Sequence, residues 1–105
     1  MDLTQKKCKP CEGNMPPLTE EHANELLKEI PNWEIRDGHV FRQFKFKNFR
    51  ESIAFVNKAA EIAEQENHHP DIKISYNKVS IDLFTHSIKG LSENDFILAA
   101  KIDNI

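Results

Sequence analysis

The chain has 105 residues, which is enough for one domain with one hydrophobic core and too few for two. Charged residues make up 30% of the sequence and hydrophobic residues 39%, and no apolar run reaches the length of a membrane span. The net charge is -3 with charges of both signs interleaved, which argues against direct binding of nucleic acid. Because the sequence starts without the apolar core of a secretory signal, we expect a cytoplasmic protein that has no membrane contact.

Residues 1–17 are predicted to form an irregular leader, because prolines and a glycine interrupt a stretch that contains few apolar residues. This leader contains both cysteines of the chain, Cys8 and Cys11, in C-x-x-C spacing. Such a pair can be half of a zinc site or a redox pair, but a structural zinc site needs four ligands and no second C-x-x-C is present. We interpret the pair as part of a surface segment, with weak metal binding or partner contact as the alternative.

The rest of the chain, residues 18–105, is predicted to form a single domain that begins with a helix. Thr19 is a good N-cap, and the two glutamates after it place negative charge in the first helical turn. Pro31 ends the helix. Its apolar face at helical spacing consists of Ala23, Leu26, Leu27 and Ile30.

A hairpin and a second helix follow. Asp37 and Gly38 give a two-residue turn signal between a short strand at 33–36 and a longer strand at 40–47. The second helix is predicted over residues 49–66, with Asn48 as its N-cap and with an end before Pro70. Its predicted apolar face consists of Phe49, Ile53, Val56, Ala60 and Ala63.

A second hairpin and a third helix complete the pattern. The hairpin is predicted over residues 71–84, with a turn near Asn77 and an aliphatic row on one face. Counting along its second strand puts His86 on the face opposite that row. Gly90 interrupts the chain, and Ser92 caps the last helix. The predicted inner face of this helix consists of Phe96, Ala99, Ala100 and Ile102.

These elements predict an α+β fold in the order α-β-β-α-β-β-α. Each helix has one apolar stripe and each strand has one apolar row. The economical arrangement is therefore a four-stranded antiparallel sheet with three helices packed on one face.

Three of the five histidines form the candidate site, namely His68, His69 and His86. Histidine titrates near neutral pH, so a neutral imidazole and a protonated one together supply a general base and a general acid. Pro70 stiffens the chain after the adjacent pair and helps to fix both rings at a helix-to-strand corner. Zinc bound by three histidines and a merely polar patch are the competing interpretations, although no H-x-x-x-H helical pair is present.

The other polar candidates each have a structural explanation. Glu64 can lie on the solvated face of the second helix, and Tyr76 can be a core or hairpin aromatic. Asp95 completes a pattern typical of a helix capping box. The remaining histidines, His22 and His39, are interpreted as surface residues.

One spaced pattern is more specific than these separate signals. It consists of Glu64-x3-His68-His69-Pro70-x5-Tyr76-x9-His86-x8-Asp95. The pattern resembles the signature of the pterin-4a-carbinolamine dehydratases, also called 4a-hydroxytetrahydrobiopterin dehydratases, at every one of these positions. The resemblance extends from about Leu18 to the C-terminus, and the leader also resembles those of bacterial and plant members.

The resemblance implies a hydro-lyase that dehydrates 4a-hydroxytetrahydrobiopterin to quinonoid dihydropterin and water, with no metal and no bound cofactor. It implies a role in tetrahydrobiopterin recycling and a functional link to an aromatic amino-acid hydroxylase. It also implies assembly as a homodimer or a homotetramer.

The resemblance further implies a role for each residue of the pattern. His68 and His86 would be the acid/base pair, and His69, the third catalytic residue, would mainly hold the pterin and assist them. Asp95 would orient or tune His86, which is compatible with a helix-cap role. The supporting residues around the site would be Glu64, Pro70 and Tyr76.

The alternative function is that of an interaction protein that keeps a vestigial pterin site. Some members of the family act as dimerisation cofactors of a homeodomain transcription factor, which is a transcriptional coactivator role based on protein contacts. All three histidines of the pattern are present in this chain, which favours retained enzymatic activity.

Overall fold

In the described part of the chain, the fold has three helices and four strands in the order predicted from the sequence, and the α+β class is confirmed. The structure is a computed structural model and describes residues 3–9 and 16–105. The helices are α1 (Glu20–Leu27), α2 (Phe49–Glu66) and α3 (Glu93–Asp103), and the strands are β1 (Glu34–Arg36), β2 (His39–Lys45), β3 (Asp71–Ser75) and β4 (Lys78–Leu83). Two short 3-10 turns lie at Leu3–Gln5 and His86–Ile88.

The strands form one antiparallel sheet in the order β1-β2-β4-β3. The turn between β1 and β2 has positive φ at both central residues, 52° at Asp37 and 78° at Gly38. Such a turn matches the twist of the strands that it joins, which is why Asp-Gly is a strong hairpin signal. In the central pair, Val40 of β2 lies opposite Leu83 of β4.

One face of the sheet is covered by the helices, as predicted. The buried side chains of this face, each 0% exposed, are Val40, Val79, Ile81 and Leu83. Residues at alternating positions, such as Gln43 and Ser80, belong to the other face, which is partly open to solvent. None of the helices in the described part of the chain has the length and apolarity that crossing a membrane requires.

The buried stripe of α2 differs from the predicted one. Its buried residues are Ser52, Phe55, Ala59 and Ala63. Phe55 is 8% exposed and packs on the rings of Phe44 and Phe46 at centroid distances of 4.6 and 5.0 Å. Phe49 is 49% exposed, and Ala60 is also exposed. The prediction for Phe49 and Ala60 was wrong, because two apolar stripes lie side by side on this helix and the aromatic cluster of β2 selects one of them.

The α3 helix is buried on more sides than its predicted inner face. Ile97 is 1% exposed and Leu98 is 0% exposed, in addition to the predicted Phe96 and Ala99. The helix contacts α1, α2, β2 and the 3-10 turn at Leu3–Gln5. A helix that is covered from several directions loses the polar face that a surface helix keeps.

The amino-terminal segment, residues 3–9, is packed onto the domain. Leu3 is 2% exposed and belongs to the hydrophobic core. Cys8 is partly buried against the same core, so it is less solvated than the surface segment that the sequence predicts. Residues 10–15, which include Cys11, lie outside the described residues. Further on, Pro17 packs so closely on Gly90 that a Cβ at position 90 would lie 2.4 Å from the Cβ of Pro17.

The orientation of α2 gives a matched pair of substitutions. We expect Phe55→Ala to lower the free energy of unfolding by about 3–5 kcal/mol, because it removes a buried ring from the aromatic cluster. Phe49→Ala on the same helix should change it by at most about 0.5 kcal/mol, because that ring is half exposed. Urea denaturation of both variants measures the difference. Equal losses would contradict the assigned buried stripe.

Candidate active site

The two adjacent histidines follow the end of α2, where a left-handed residue closes the helix. Asn67 has φ 52° and ψ 40°, a conformation that asparagine adopts more readily than most residues. The N–H of His68 donates to the carbonyl of Ala63 at 3.2 Å, and the N–H of Asn67 donates to the carbonyl of Glu64 at 3.3 Å. This pair of hydrogen bonds is the Schellman arrangement, which turns the chain sharply away from the helix axis. The histidines are therefore held at a corner between α2 and β3.

Asp95 is a buried carboxylate at the base of this corner. Its side chain is 0% exposed, and that of His68 is 12% exposed. The Oδ1 of Asp95 accepts a hydrogen bond from Nε2 of His68 at 2.6 Å. Its Oδ2 accepts from Oγ1 of Thr85 and from the backbone N–H of Ser92, each at 2.9 Å. A buried carboxylate without hydrogen-bond partners is costly, so these three donors stabilise Asp95 in the core. The hydrogen bond to Asp95 in turn fixes the ring of His68.

This arrangement corrects the role predicted for Asp95. Its hydrogen-bonded imidazole is that of His68, and the expectation that it orients or tunes His86 was wrong. The physical reason is that α3 contacts α2, and the carboxylate of Asp95 thereby reaches the histidine that follows that helix. The helix-cap interpretation is confirmed, since Asp95 and Ser92 form the capping box of α3.

His86 is placed by ring contacts. It lies in the exposed 3-10 turn after β4, and its ring meets the ring of Phe84 edge-on at 5.1 Å between centroids. Phe84 is in turn stacked on His39 at 4.3 Å, and His39 hydrogen-bonds to Asp82. Within residues 3–9 and 16–105 the imidazole of His86 has neither a hydrogen bond nor an ion pair. Neither of its nitrogens is therefore occupied by a partner from this part of the chain.

His68, His69 and His86 line one open cleft of about 430 Å³. This volume is within the range typical of small-molecule sites. Among the described residues, its lining consists of Lys9, Asn67, His68, His69, Phe84, Thr85, His86, Ser87 and Asn94. The cleft thus combines imidazoles, one aromatic wall and several small polar groups, which is a lining suited to a planar polar heterocycle.

His69 and Glu64 lie at the exposed rim of the site. Nε2 of His69 contacts Oε2 of Glu64, and their side chains are 56% and 76% exposed. The pair is a solvated one that holds His69 near the cleft mouth rather than a buried catalytic pair. Pro70 follows at the corner and is partly exposed, and it does not line the cleft.

Tyr76 is not among the described residues that line the cleft, and the supporting role that the resemblance implies for it stays a prediction. It occupies the turn between β3 and β4 with φ 54°, and it is 63% exposed. The five residues of β3 separate this turn from the histidine corner by roughly 15 Å. Tyr76 instead shares a shallow depression with Phe49 and Ile53. The alternation of β3 that predicted its direction ends at Ser75, one residue earlier.

Sequence reasoning missed several lining residues. Thr85 is buried and bridges Asp95 and Ser92, with its Oγ1 at 2.8 Å from Oγ of Ser92. The sequence offered one indication that Thr85 belongs to the site, namely its position directly before His86. Phe84 and Asn94 also line the cleft. Their positions depend on how β4 and α3 pack together, which no local sequence pattern predicts.

The described part of the chain contains no set of ligands for the three-histidine zinc site. Among residues 3–9 and 16–105, no three side chains of His, Cys, Asp or Glu are arranged to hold a metal ion. The carboxylates nearest to the histidines are engaged as hydrogen-bond acceptors, Asp95 with His68 and Glu64 with His69.

Two perturbed groups lie just behind the cleft. Burial would raise the pKa of Glu66, but hydrogen bonds from Lys101 and from the backbone N–H of Cys8 outweigh it and leave that pKa below its usual value. The pKa of the Cys8 thiol is raised to about 12, mainly by burial and also by the neighbouring Glu66 carboxylate. Cys8 is therefore a neutral thiol at physiological pH and a poor nucleophile.

The chain is similar in sequence to known proteins over nearly its full length. Residues 16–105 match the sequence model of a family described as Pterin 4 alpha carbinolamine dehydratase. A protein of Nitrosomonas eutropha, provisionally named a pterin-4-alpha-carbinolamine dehydratase, is 50% identical over 97% of this chain and 91% of its own length. A protein of Rubrobacter xylanophilus with the same provisional name is 47% identical over 99% of this chain and 98% of its own length.

Solved structures show the same fold. A transcriptional coactivator/pterin dehydratase from Brucella melitensis matches with a TM-score of 0.80 and 38% identity, over 84% of this chain and 96% of its own. A pterin dehydratase-like protein identified as a RuBisCO assembly factor in the alpha-carboxysome matches with a TM-score of 0.57 and 23% identity, over 69% and 83%. The second likeness concerns the fold alone.

The hydrogen bonds of Asp95 predict energetic coupling within the site. We expect Asp95→Ala to lower the free energy of unfolding by about 2–4 kcal/mol, because it removes a helix cap and leaves Thr85 and His68 without their acceptor. Thr85→Val should lower the free energy of unfolding by less in the Asp95→Ala background than in the wild type. The coupling energy in this double-mutant cycle should be about 0.5–3 kcal/mol. Additive losses in urea denaturation would contradict this network.

Proposed function

Because the chain belongs to the pterin-4-alpha-carbinolamine dehydratase family, we propose that it dehydrates 4a-hydroxytetrahydrobiopterin to quinonoid dihydropterin and water. The observation that carries this proposal is the cleft in which His68 and His86 converge, although they are separated by most of a hairpin in sequence. In this proposal the enzyme is a cytoplasmic hydro-lyase of tetrahydrobiopterin recycling, linked functionally to an aromatic amino-acid hydroxylase.

The proposed reaction needs two proton transfers and no change of oxidation state. The bond between C4a and the hydroxyl oxygen breaks, and a general acid protonates the oxygen so that it leaves as water. A general base removes the proton from N5, and the electrons of that N–H bond form the new double bond between N5 and C4a. Two imidazoles in opposite protonation states perform both transfers, so the residues of the cleft suffice without a metal or a cofactor.

The surroundings of the two histidines suggest which one is the base. The carboxylate of Asp95 lies against Nε2 of His68, where it stabilises the positive charge that this ring acquires when its other nitrogen takes a proton. His86 is exposed and can be reprotonated from water after each turnover. We therefore assign His68 as the base at N5 and His86 as the acid at the 4a-hydroxyl. His69, at the rim, contacts the part of the pterin that does not react.

Substitution of each histidine tests this proposal. We expect His68→Ala and His86→Ala each to lower kcat by about 10²–10⁴-fold, because each removes one proton-transfer group. His69→Ala should mainly raise KM. Turnover of freshly generated 4a-hydroxytetrahydropterin, followed by absorbance against the uncatalysed background, measures these effects.

Two controls accompany this measurement. Tyr76→Phe should leave kcat within about twofold, because the hydroxyl lies at the far end of the hairpin. Activity that survives chelation, with no stoichiometric zinc by elemental analysis, would rule out the zinc interpretation. A wild-type rate equal to the background would contradict the dehydratase proposal itself.

A second candidate function is that of an interaction protein. It is favoured by the Brucella melitensis protein, whose name joins transcriptional coactivator and pterin dehydratase, and by exposed apolar residues on this chain. Phe49, Ile53 and Tyr76 line one shallow depression, and Ile74 on the edge strand β3 is 37% exposed. Exposed apolar groups beside an open strand edge are typical of surfaces that bind another chain.

We propose that these residues form the contact of a homodimer or homotetramer. Light scattering coupled to size-exclusion chromatography should give a mass above that of one chain for the wild type. Ile74→Lys should lower that mass, because it places a charge on the edge strand, whereas Lys73→Ala on the other face of the same strand should not. A monomeric wild type would contradict self-association and would direct attention to other protein partners.

A further inference from the structure

We propose that the amino-terminal segment, residues 3–9, is a working part of the cleft: docked on α2 and α3 it forms one wall, and its docking and pterin binding strengthen each other. The inference rests on the proposed function of the same cleft. The segment lies outside residues 16–105, which match the family, and Lys9 nevertheless lines the cleft together with the histidines.

The far end of the segment is anchored outside the cleft. Leu3 is inserted into the hydrophobic core, and Nζ of Lys6 pairs with Oε2 of Glu93 at 3.0 Å. The backbone N–H of Cys8 donates to Oε1 of Glu66 at 2.8 Å. The other oxygen of that carboxylate is held by Lys101 at 2.7 Å. Docking of the segment therefore depends on residues that do not line the cleft.

The near end of the segment is paired at the cleft wall. The amide side chain of Asn94 accepts a hydrogen bond from the N–H of Lys9 at 2.9 Å, and it donates to the carbonyl of Lys9 at 2.6 Å. One side chain thus satisfies both backbone groups of one residue, as a neighbouring strand would. Both Lys9 and Asn94 line the cleft, so this joint is part of the binding surface.

The first turn of α3 connects the segment to the histidine site. Three successive residues of this turn each bind a different part of the site. Glu93 pairs with Lys6, and Asn94 bonds to the backbone of Lys9. Asp95 accepts the hydrogen bond of His68. The segment and the acceptor of His68 are therefore joined to the same helical turn. A ligand that touches the docked wall binds the docked state more tightly, and by linkage it must stabilise docking to the same extent.

Kinetics of undocked variants test the contribution to binding. Leu3→Asp and Glu66→Ala should each raise KM for 4a-hydroxytetrahydropterin by about tenfold, because each removes an anchor, while kcat stays within about twofold. Glu66→Gln keeps an oxygen for the Cys8 N–H and should raise KM less than Glu66→Ala. Lys7→Ala, at an exposed position of the same segment, should leave both constants unchanged. Wild-type KM in both undocked variants would overturn the inference while the dehydratase proposal stands.

The thiol of Cys8 reports docking independently of turnover. In a Cys11→Ser background, alkylation of Cys8 by iodoacetamide at pH 8 should be slow, because the docked thiol is partly buried with a raised pKa. Leu3→Asp should accelerate it at least tenfold. Saturating 7,8-dihydrobiopterin should slow it further in the Cys11→Ser protein. Labelling that this pterin does not slow would overturn the coupling, and this readout holds even if the wild type has no dehydratase activity.

Discussion

The buried carboxylate of Asp95 is the interaction on which the rest of the site depends. It lies in the first turn of α3 with no exposure to solvent, and it accepts from His68, Thr85 and the N–H of Ser92. These donors come from the residues after α2, from the residues after β4 and from the N-cap of α3. Since a buried charge must be fully hydrogen-bonded, three separate parts of the chain are brought to one point, and the cleft is the space that they enclose.

The two proposed proton-transfer groups are held in different ways. His68 is fixed by a buried carboxylate, whereas His86 is placed by the edge of an aromatic ring that is itself stacked on His39. A fixed ring beside a carboxylate and an exposed ring beside an apolar wall suit opposite halves of an acid/base reaction. The difference comes from the two elements that carry them, a closed helix end and a short 3-10 turn after a strand.

The fold by itself does not decide between an enzyme and an interaction protein, because function resides in sites that a fold carries. The RuBisCO assembly factor shares this architecture at a TM-score of 0.57, and its likeness is limited to the fold. What bears on the function of the present chain is the set of residues in its cleft. The sequence pattern with His68, His69 and His86 identified the family and these three histidines of the set, while Thr85, Phe84 and Asn94 became visible only through the lining of the cleft.

The sequence by itself determined the element order, the helix starts and the turns, because caps such as Thr19 and Asn48 and the Asp37-Gly38 turn act within a few residues. Only the tertiary structure decided which stripe of α2 is buried, which histidine Asp95 contacts and whether residues 3–9 dock. These outcomes depend on long-range packing: the aromatic cluster of β2 selects Phe55 over Phe49, and the carboxylate of Asp95 in α3 bonds to the imidazole of His68 rather than to that of His86. Local preferences along a chain fix its elements, but contacts between elements distant in sequence fix their faces and therefore the site.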